Sequence, residues 1–475
     1  MIYDWKMELY WCLPVRMQET LLSIYARHLE NVYYGPVYKK WKSLLNDWKS
    51  WPPSFVDEWR SERLRCVIKK AAGSVPYYRK SFMDVRWTDV RSIKDLHLLP
   101  VLEKQSLRRN EREFLAEGTN IKSLRVEPTS GTTGTSLKIY LPGQMVQQFW
   151  AIAEVMVRNV AGVSQEMPRA MMGGRPIKRG DNANPPYWRF NRHWKQLYFS
   201  SYHISKRTAA EYVNALRTYG CEWMTGFGSA IAALADDALE AGIPPYRLKA
   251  VIVSGDTLTH GMRESIEKFF MCKCFNNYGQ TEKVALAMEC VHGNMHVVPL
   301  VGIVEILRED GTACERGEVG EIVATGLLNE AMPLVRYRIG DHAAWAEEQS
   351  CRCGNPNPII TGLEGRVDDY VITVDGRKIG RLAAFRRSPT IHSAQVLQDS
   401  PGHAYLLVRP GKDYRPVHAA AVRGDILERV GKFALEIVEV PEIPKTPQGK
   451  TVTVVRLADR PEMKKTYEKI IRKHL

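Results

Sequence analysis

Positions 129–138 read Thr129-Ser130-Gly131-Thr132-Thr133-Gly134-Thr135-Ser136-Leu137-Lys138. From Thr129 to Ser136 every residue bears a hydroxyl or is glycine, and apolar residues return at Leu137, Ile139 and Tyr140. Glycine lets backbone N–H groups turn toward an anion, and Ser or Thr hydroxyls add donors at small steric cost. Such a loop suits a polyphosphate that is held while it reacts. It is not a P-loop, because Gly131 and Gly134 are too close and no Gly-Lys-Ser/Thr follows. Taken alone it reads equally well as a polar surface loop. The residues downstream decide.

Leu124-Arg125-Val126, just before the loop, has the character of a short strand, and 147–160 has helical spacing at Phe149, Trp150, Ile152, Ala153 and Met156. Strand-like runs follow at Leu197-Tyr198-Phe199, Ala250-Val251-Ile252-Val253 and Lys273-Cys274-Phe275, with helical stretches near 209–219 and 229–241. Strands alternating with helices predict an α/β sheet, largely parallel. Between 295 and 345 the helical pattern disappears, and runs at 302–307 and 321–325 predict a smaller β unit. Upstream, 55–72 is helical in pattern.

A chain of 475 residues implies two or three domains. Its net charge of +14 favours acidic partners such as nucleotides, coenzyme A or anionic lipid. No zinc-finger, helix-turn-helix or RNA-binding aromatic signature is visible, so no nucleic acid is expected. Nine irregularly spaced cysteines, an odd count, argue against a disulfide framework. Asp4, Lys6, Glu8, Arg16 and Glu19 interrupt any signal-peptide core, and no apolar run is long enough to cross a bilayer. A cytoplasmic setting is expected. The stretch up to Trp51 places Trp5, Trp11, Trp41, Trp48 and Trp51 among Lys39, Lys40, Lys42 and Lys49 in amphipathic helices. These read as a layer packed on the main body, or as a peripheral contact with the inner membrane surface.

Four further motifs carry chemistry. In Asn277-Tyr278-Gly279-Gln280-Thr281-Glu282 an aromatic beside glycine can cover a flat base, and Glu282 can hold Mg²⁺ together with substrate phosphates. Tyr337-Arg338-Ile339-Gly340-Asp341 offers Asp341 at a turn, where a carboxylate can accept both hydrogen bonds of a ribose diol. Gly365-Arg366-Val367-Asp368-Asp369 sets a cation among carboxylates, and Pro444-Lys445-Thr446-Pro447-Gln448-Gly449-Lys450 puts a lysine on a loop near the C-terminus.

In this order the set resembles the adenylate-forming (acyl-CoA synthetase-like) superfamily, and within it the phenylacetate–coenzyme A ligase family and its capsule-type, CapK-like branch. Val75-Pro76-Tyr77-Tyr78-Arg79 and Leu99-Pro100-Val101-Leu102 look like that branch too. The resemblance implies a large α/β adenylation domain with a small β unit at 96–365, a helical extension packed on it at 1–95, and a small mobile α+β domain at 366–475. It implies that Ser130, Thr132, Thr133 and Gly134, with Gly131, cradle the ATP phosphates. Tyr278 would stack on adenine with Gly279 beside it, Thr281 would touch the α-phosphate, and Glu282 would hold Mg²⁺. Asp341 would bind the ribose hydroxyls with help from Arg366, and Asp368 matches the hinge. Lys450 matches the lysine that reaches the α-phosphate and the carboxylate, which makes Lys450, Thr132 and Glu282 the catalytic set. Gly255 and His203 fall where the acid pocket would be built; His203 suits either a substrate carboxylate or a structural hydrogen bond. One departure stands out: the wider superfamily's loop usually runs Gly-x-Pro-Lys-Gly, whereas here Gly134 leads Thr135-Ser136-Leu137-Lys138, with the lysine one place later.

Cys351-Arg352-Cys353-Gly354 can present two thiolates to one zinc, and Cys290-Val291-His292-Gly293-Asn294-Met295-His296 supplies a second half. The expected site is Cys290, His296, Cys351 and Cys353, with His292 the alternative imidazole; reduced, uncoordinated thiols are the other reading. Cys272 and Cys274 read as small buried hydrophobes.

The expectation is therefore an enzyme that activates a small carboxylic acid with ATP, passes through acyl-AMP, and hands the acyl group to coenzyme A. An amine acceptor, for instance an amino sugar in surface-polysaccharide assembly, is the alternative. A non-catalytic basic scaffold on a membrane is the reading of another class.

Overall fold

The computed structural model describes residues 5–129, 137–174, 177, 184–201, 203–256, 258–364, 371–374, 378–379, 390–411, 413–430, 433–445, 451–460 and 463–474. The chain divides into two compact units, one formed by 1–26, 166–274 and 364–475, the other by 27–165 and 275–363.

In the first unit the strands Ala250–Ser254, Trp223–Gly226, Arg169–Gly173, Gln196–Ser200 and Trp188–Asn191 lie side by side in that order. The first four run parallel, and Trp188–Asn191 is an antiparallel edge. Parallel neighbours need crossovers, which the helices Ala209–Thr218 and Gly228–Glu240 supply. With His260–Phe270 they bury a core that includes Leu197, Phe199, Tyr212, Ile231, Val251 and Phe269. Gly226 has φ +142°, and a Cβ there would stand 1.8 Å from the Met172 carbonyl oxygen. Only glycine allows that approach.

The same unit carries a four-stranded sheet ordered Ala434–Glu439, His403–Pro410, Ile391–Ser400, Val454–Arg456. Successive residues of its strands enter different cores. Val396 and Leu406 pack with Val422 and Ile426 of the helix Pro416–Val430, whereas Leu397 and Leu407 pack with Met463 and Tyr467 beside and within the helix Lys464–His474.

The second unit is built differently. Its strands run in the order Gly302–Leu307, Val319–Gly326, Tyr337–Trp345, Ile359–Glu364, Met295–Val297, Leu286–Glu289, Lys273–Gly279. The first three pair antiparallel, and so do the last four. The expectation of a largely parallel sheet therefore holds for the first unit alone. No helix falls between 295 and 345, and strands joined by short turns can only pair antiparallel. The helices Pro53–Ser74 and Gly143–Ala153 belong to this unit, and the second continues as one π turn, Glu154–Arg158. There Glu154 is fully buried, accepting from Arg158 Nη1 at 2.7 Å and from the Gln165 amide at 3.0 Å.

Among the described residues no helix is long and apolar enough to cross a membrane.

Candidate active site

The site is built from the second unit, beginning at a hairpin. Strands Arg125–Pro128 and Lys138–Leu141 pair antiparallel, with Pro128 opposite Lys138. The pairing closes with the Thr129 amide donating to the Leu137 carbonyl at 2.8 Å, while the Leu137 amide donates to Thr129 Oγ1 at 3.2 Å. Buried Thr129 thus extends the pairing of the two strands at their described end. Ser130, Gly131, Thr132, Thr133 and Gly134 lie outside the described residues, as do Arg366, Asp368 and Lys450.

Tyr278 and Gly279 end the strand Lys273–Gly279, so the aromatic lies in the strand rather than after it. The Tyr278 phenol donates to Asp341 Oδ2 at 2.8 Å. Asp341 sits in the strand Tyr337–Trp345, not at a turn. The turn-like signal has a physical origin. Glu321 pairs with His342 and Val323 with Arg338, so residues 339–341 stand opposite Ile322 alone. Gly340, at φ +91°, takes the conformation that this bulge demands. The bulge re-aims Asp341, and the sequence shows it only as an Ile-Gly-Asp that resembles a turn.

Glu282 is buried, and the phenol of fully buried Tyr337 donates to its Oε1 at 2.9 Å. Lys104 Nζ is 3.5 Å from the same oxygen and donates to the Ile339 carbonyl at 3.3 Å. A buried carboxylate needs such partners, because desolvation opposes its charge. Thr281 is half-buried beside it, and the Thr281 carbonyl accepts from Lys283 Nζ at 3.4 Å. Lys283 also pairs with Glu127 of the hairpin. The motifs at 277–282 and 337–341 are therefore joined twice, by Tyr278 to Asp341 and by Tyr337 to Glu282. Tyr337 and Lys104 were not singled out from sequence, although Tyr337 opens the quoted motif and Lys104 follows Leu99-Pro100-Val101-Leu102 by two residues.

Acid-pocket candidates lie in the first unit. His203 Nδ1 is 2.7 Å from Ser200 Oγ, and its ring stacks on Tyr187 at 5.7 Å between centroids. Gly255, at φ +84°, precedes Asp256, whose carboxylate accepts from the Gly228 amide at 2.7 Å and from the Ser229 amide at 3.1 Å. Asp256 thus caps the first turn of the helix Gly228–Glu240, favourably placed against its dipole.

Cys290, His296, Cys351 and Cys353 bring their ligand atoms within 4.8 Å of one another. Cys290 Sγ and Cys351 Sγ are 3.7 Å apart, and Cys353 Sγ is 3.4 Å from His296 Nε2. A zinc ion with bonds of ~2.0–2.3 Å at tetrahedral angles separates its ligand atoms by roughly 3.5–3.8 Å, so the spacing fits. The outer groups are in place as well. His296 Nδ1 faces the Asn357 carbonyl at 3.0 Å, which leaves Nε2 as the ligand nitrogen, and Asn294 Nδ2 donates to Cys351 Sγ at 3.1 Å. Burial opposes the Cys351 thiolate, but donation from Asn294 and the Cys353 amide outweighs it and lowers the pKa to about 6. His292 is exposed, and its backbone amide donates to Cys290 Sγ at 3.4 Å. Cys274 is buried, and Cys272 is half-buried with its thiol pushed up to about 12, chiefly by burial.

The chain is 25% identical to Protein CapK of Staphylococcus aureus over 374 residues, 76% of this chain and 80% of that protein. It is 25% identical to the phenylacetate–coenzyme A ligase of Thermus thermophilus over 333 residues, 66% of this chain and 71% of that enzyme. No family model matches the chain. Among solved structures it is similar to 2-hydroxyisobutyryl-CoA ligase in its postadenylation state, with a TM-score of 0.65, 19% identity, and coverage of 89% of this chain and 93% of that one. In sequence the chain is thus similar to CapK and to phenylacetate–coenzyme A ligases, and it shares the fold of 2-hydroxyisobutyryl-CoA ligase.

Proposed function

We propose that the protein is an ATP-dependent ligase. It joins a small carboxylic acid to the α-phosphate of ATP with release of pyrophosphate, and then transfers the acyl group to the thiol of coenzyme A. The observation that carries this reading is the double junction of the two motifs, Tyr278 with Asp341 and Tyr337 with Glu282. It sets an aromatic face and two carboxylates together in a fold shared with a coenzyme A ligase.

Attack of a carboxylate on the α-phosphate brings two anions together, so the barrier is largely electrostatic and positional. In this reading Tyr278 covers the adenine beside Gly279, and Asp341, assisted by Arg366, accepts from the ribose hydroxyls. Ser130, Gly131, Thr132, Thr133 and Gly134 cradle the phosphates, and Thr281 contacts the α-phosphate. Glu282, oriented by Tyr337 and Lys104, would hold Mg²⁺, which when bound supplies charge neutralisation at the phosphates. Lys450 approaches the α-phosphate and the substrate carboxylate on a C-terminal domain, 366–475, that turns about Asp368 against the body at 96–365. Residues 1–95 are a helical extension of that body. Gly255 and His203 border the acid pocket. Cys290, His296, Cys351 and Cys353 would hold a structural zinc, which when bound supplies a cross-link between these two segments. The enzyme is cytoplasmic, and its N-terminal helices rest on the inner membrane surface.

The test is ATP–pyrophosphate exchange with aromatic, aliphatic and hydroxy acids, with and without Mg²⁺. Exchange that requires both an acid and Mg²⁺ is expected; its absence with every acid would leave the basic scaffold as the better account. The capsule-type likeness, with a CapK match of 374 residues, favours an amine acceptor as the second reading. Mass spectrometry of products formed with coenzyme A or with amino sugars separates the two.

A further inference from the structure

We infer that the outward face of the helix Val15–Tyr34 is a docking surface for an anionic lipid bilayer. The inference rests on the peripheral location proposed above and names the face responsible. A surface helix normally buries its apolar stripe and shows polar residues to water. This helix departs from that pattern along part of its exposed side. Its buried residues are Gln18 and Ala26, at 3% and 1% exposure. Met17, Leu21, Ile24 and Tyr25, which share one face at helical spacing, are 51%, 46%, 62% and 58% exposed.

The inward polar residues have a structural reason. Trp188–Asn191 is an edge strand, and edge strands leave backbone N–H groups unpaired. Glu19 accepts from the Phe190 amide at 2.9 Å, Ser23 Oγ accepts from the Arg192 amide at 3.0 Å, and Gln18 Oε1 accepts from Arg189 Nε at 2.6 Å. The helix thus closes the edge through its polar side. Closing an edge places no demand on the opposite face, where water favours polar residues. Four large apolar side chains there call for an apolar partner.

Charge selects the partner. Arg16 and Arg27 are exposed and, at 100° per residue, both lie along one border of the stripe. Glu19, the acidic residue nearest it in sequence, is turned away onto Phe190. An apolar stripe with a cationic border, on a chain of net charge +14, suits the interface of an anionic membrane. A second copy fits less well. Stable dimers use ~20–30 residues a side, and self-pairing would crowd like-charged borders.

The test is co-flotation of the full chain with vesicles of phosphatidylcholine alone, or of phosphatidylcholine with about one third phosphatidylglycerol, at low and high salt. Binding is expected to the anionic vesicles and to weaken with salt, and Leu21→Glu with Ile24→Glu is expected to weaken it about tenfold or more. Leu21→Ser alone, with circular dichroism matching the parent, guards against misfolding. Equal binding by parent and both variants would overturn this face while leaving a peripheral location by other residues. No binding by the parent would overturn both. A dimer of the parent that these substitutions dissociate would overturn the lipid assignment in favour of a second copy.

Discussion

The phenol of Tyr278 and the carboxylate of Asp341, 63 positions apart in the chain, are held at 2.8 Å by a hydrogen bond that Tyr278 donates. If Asp341 holds the ribose, this bond keeps the carboxylate oriented in the free enzyme. Hydrogen bonds to a charged group are worth ~1.5–3 kcal/mol, so Asp341→Ala should raise the KM for ATP roughly 10–100-fold. Tyr278→Phe keeps the ring but removes the orienting donor and should raise KM less than Asp341→Ala does, whereas Tyr278→Ala, which also removes the ring, should raise it further. Steady-state kinetics in ATP check this, and an unaltered KM in Asp341→Ala would reject the ribose role.

In the proposed reading Glu282 and Lys450 serve the chemical step. Losing one preset electrostatic partner in such a site costs on the order of 10²–10³ in rate. Glu282→Gln should lower pyrophosphate exchange by about that factor. Tyr337→Phe, which removes the donor that orients Glu282, should have a smaller effect. Lys450→Ala should abolish adenylate formation while calorimetry still shows ATP binding. Near-normal exchange in Lys450→Ala would contradict its assignment.

The cysteine–histidine cluster predicts close to one zinc per chain by elemental analysis. His296→Asn and Cys351→Ser should lose the metal, whereas His292→Asn should keep it, because His292 is exposed and outside the cluster. A loss of about 2 kcal/mol would lower Tm by roughly 4–8 °C in a domain of 150–250 residues. Retention of zinc in His296→Asn would show that another ligand set is used.

His392 should give the stability of the first unit a pH dependence. Its Nε2 lies 3.1 Å from Asp236 Oδ2, Arg409 is 3.2 Å from the same oxygen, and Thr259 Oγ1 donates to the His392 carbonyl at 3.0 Å. Burial, reinforced by the Arg409 charge, pushes the His392 pKa from 6.5 down to about 3. Below pH 6.5 the unfolded chain takes up a proton that the folded chain refuses, so this contribution falls as the pH falls toward 3. Between pH 6.5 and 5 it amounts to roughly 2 kcal/mol at 1.36 kcal/mol per pH unit. Asp236 and Asp237 are both raised by burial and act with the opposite sign. The His392 share is therefore the difference between parent and His392→Gln in denaturant melts from pH 7 to 5, which should shift toward the variant as the pH falls. Parallel curves would show that His392 is not held neutral.

Local chemistry determined a good deal of this protein by itself. Helical and strand periodicity located the crossover helices and the helix-free stretch between 295 and 345, since both patterns follow from which face of an element meets the core. The spacing of Cys351, Cys353, Cys290 and His296 was enough to single out a candidate zinc set, with His292 as the alternative imidazole and uncoordinated thiols as the other reading. Tertiary structure alone decided the rest. It chose His296 over His292, since only one imidazole turns its Nε2 toward the sulfurs while a carbonyl takes its other nitrogen. It made the second unit antiparallel and turned Ile339-Gly340-Asp341 into a bulge, because strand pairing is settled by partners distant in sequence. It also turned Gln18 and Glu19 of the helix Val15–Tyr34 inward and left Met17, Leu21, Ile24 and Tyr25 exposed, which periodicity by itself does not decide. Periodicity records how a segment is two-faced, but which face is covered depends on the neighbour, and here the neighbour is an open strand edge in need of acceptors.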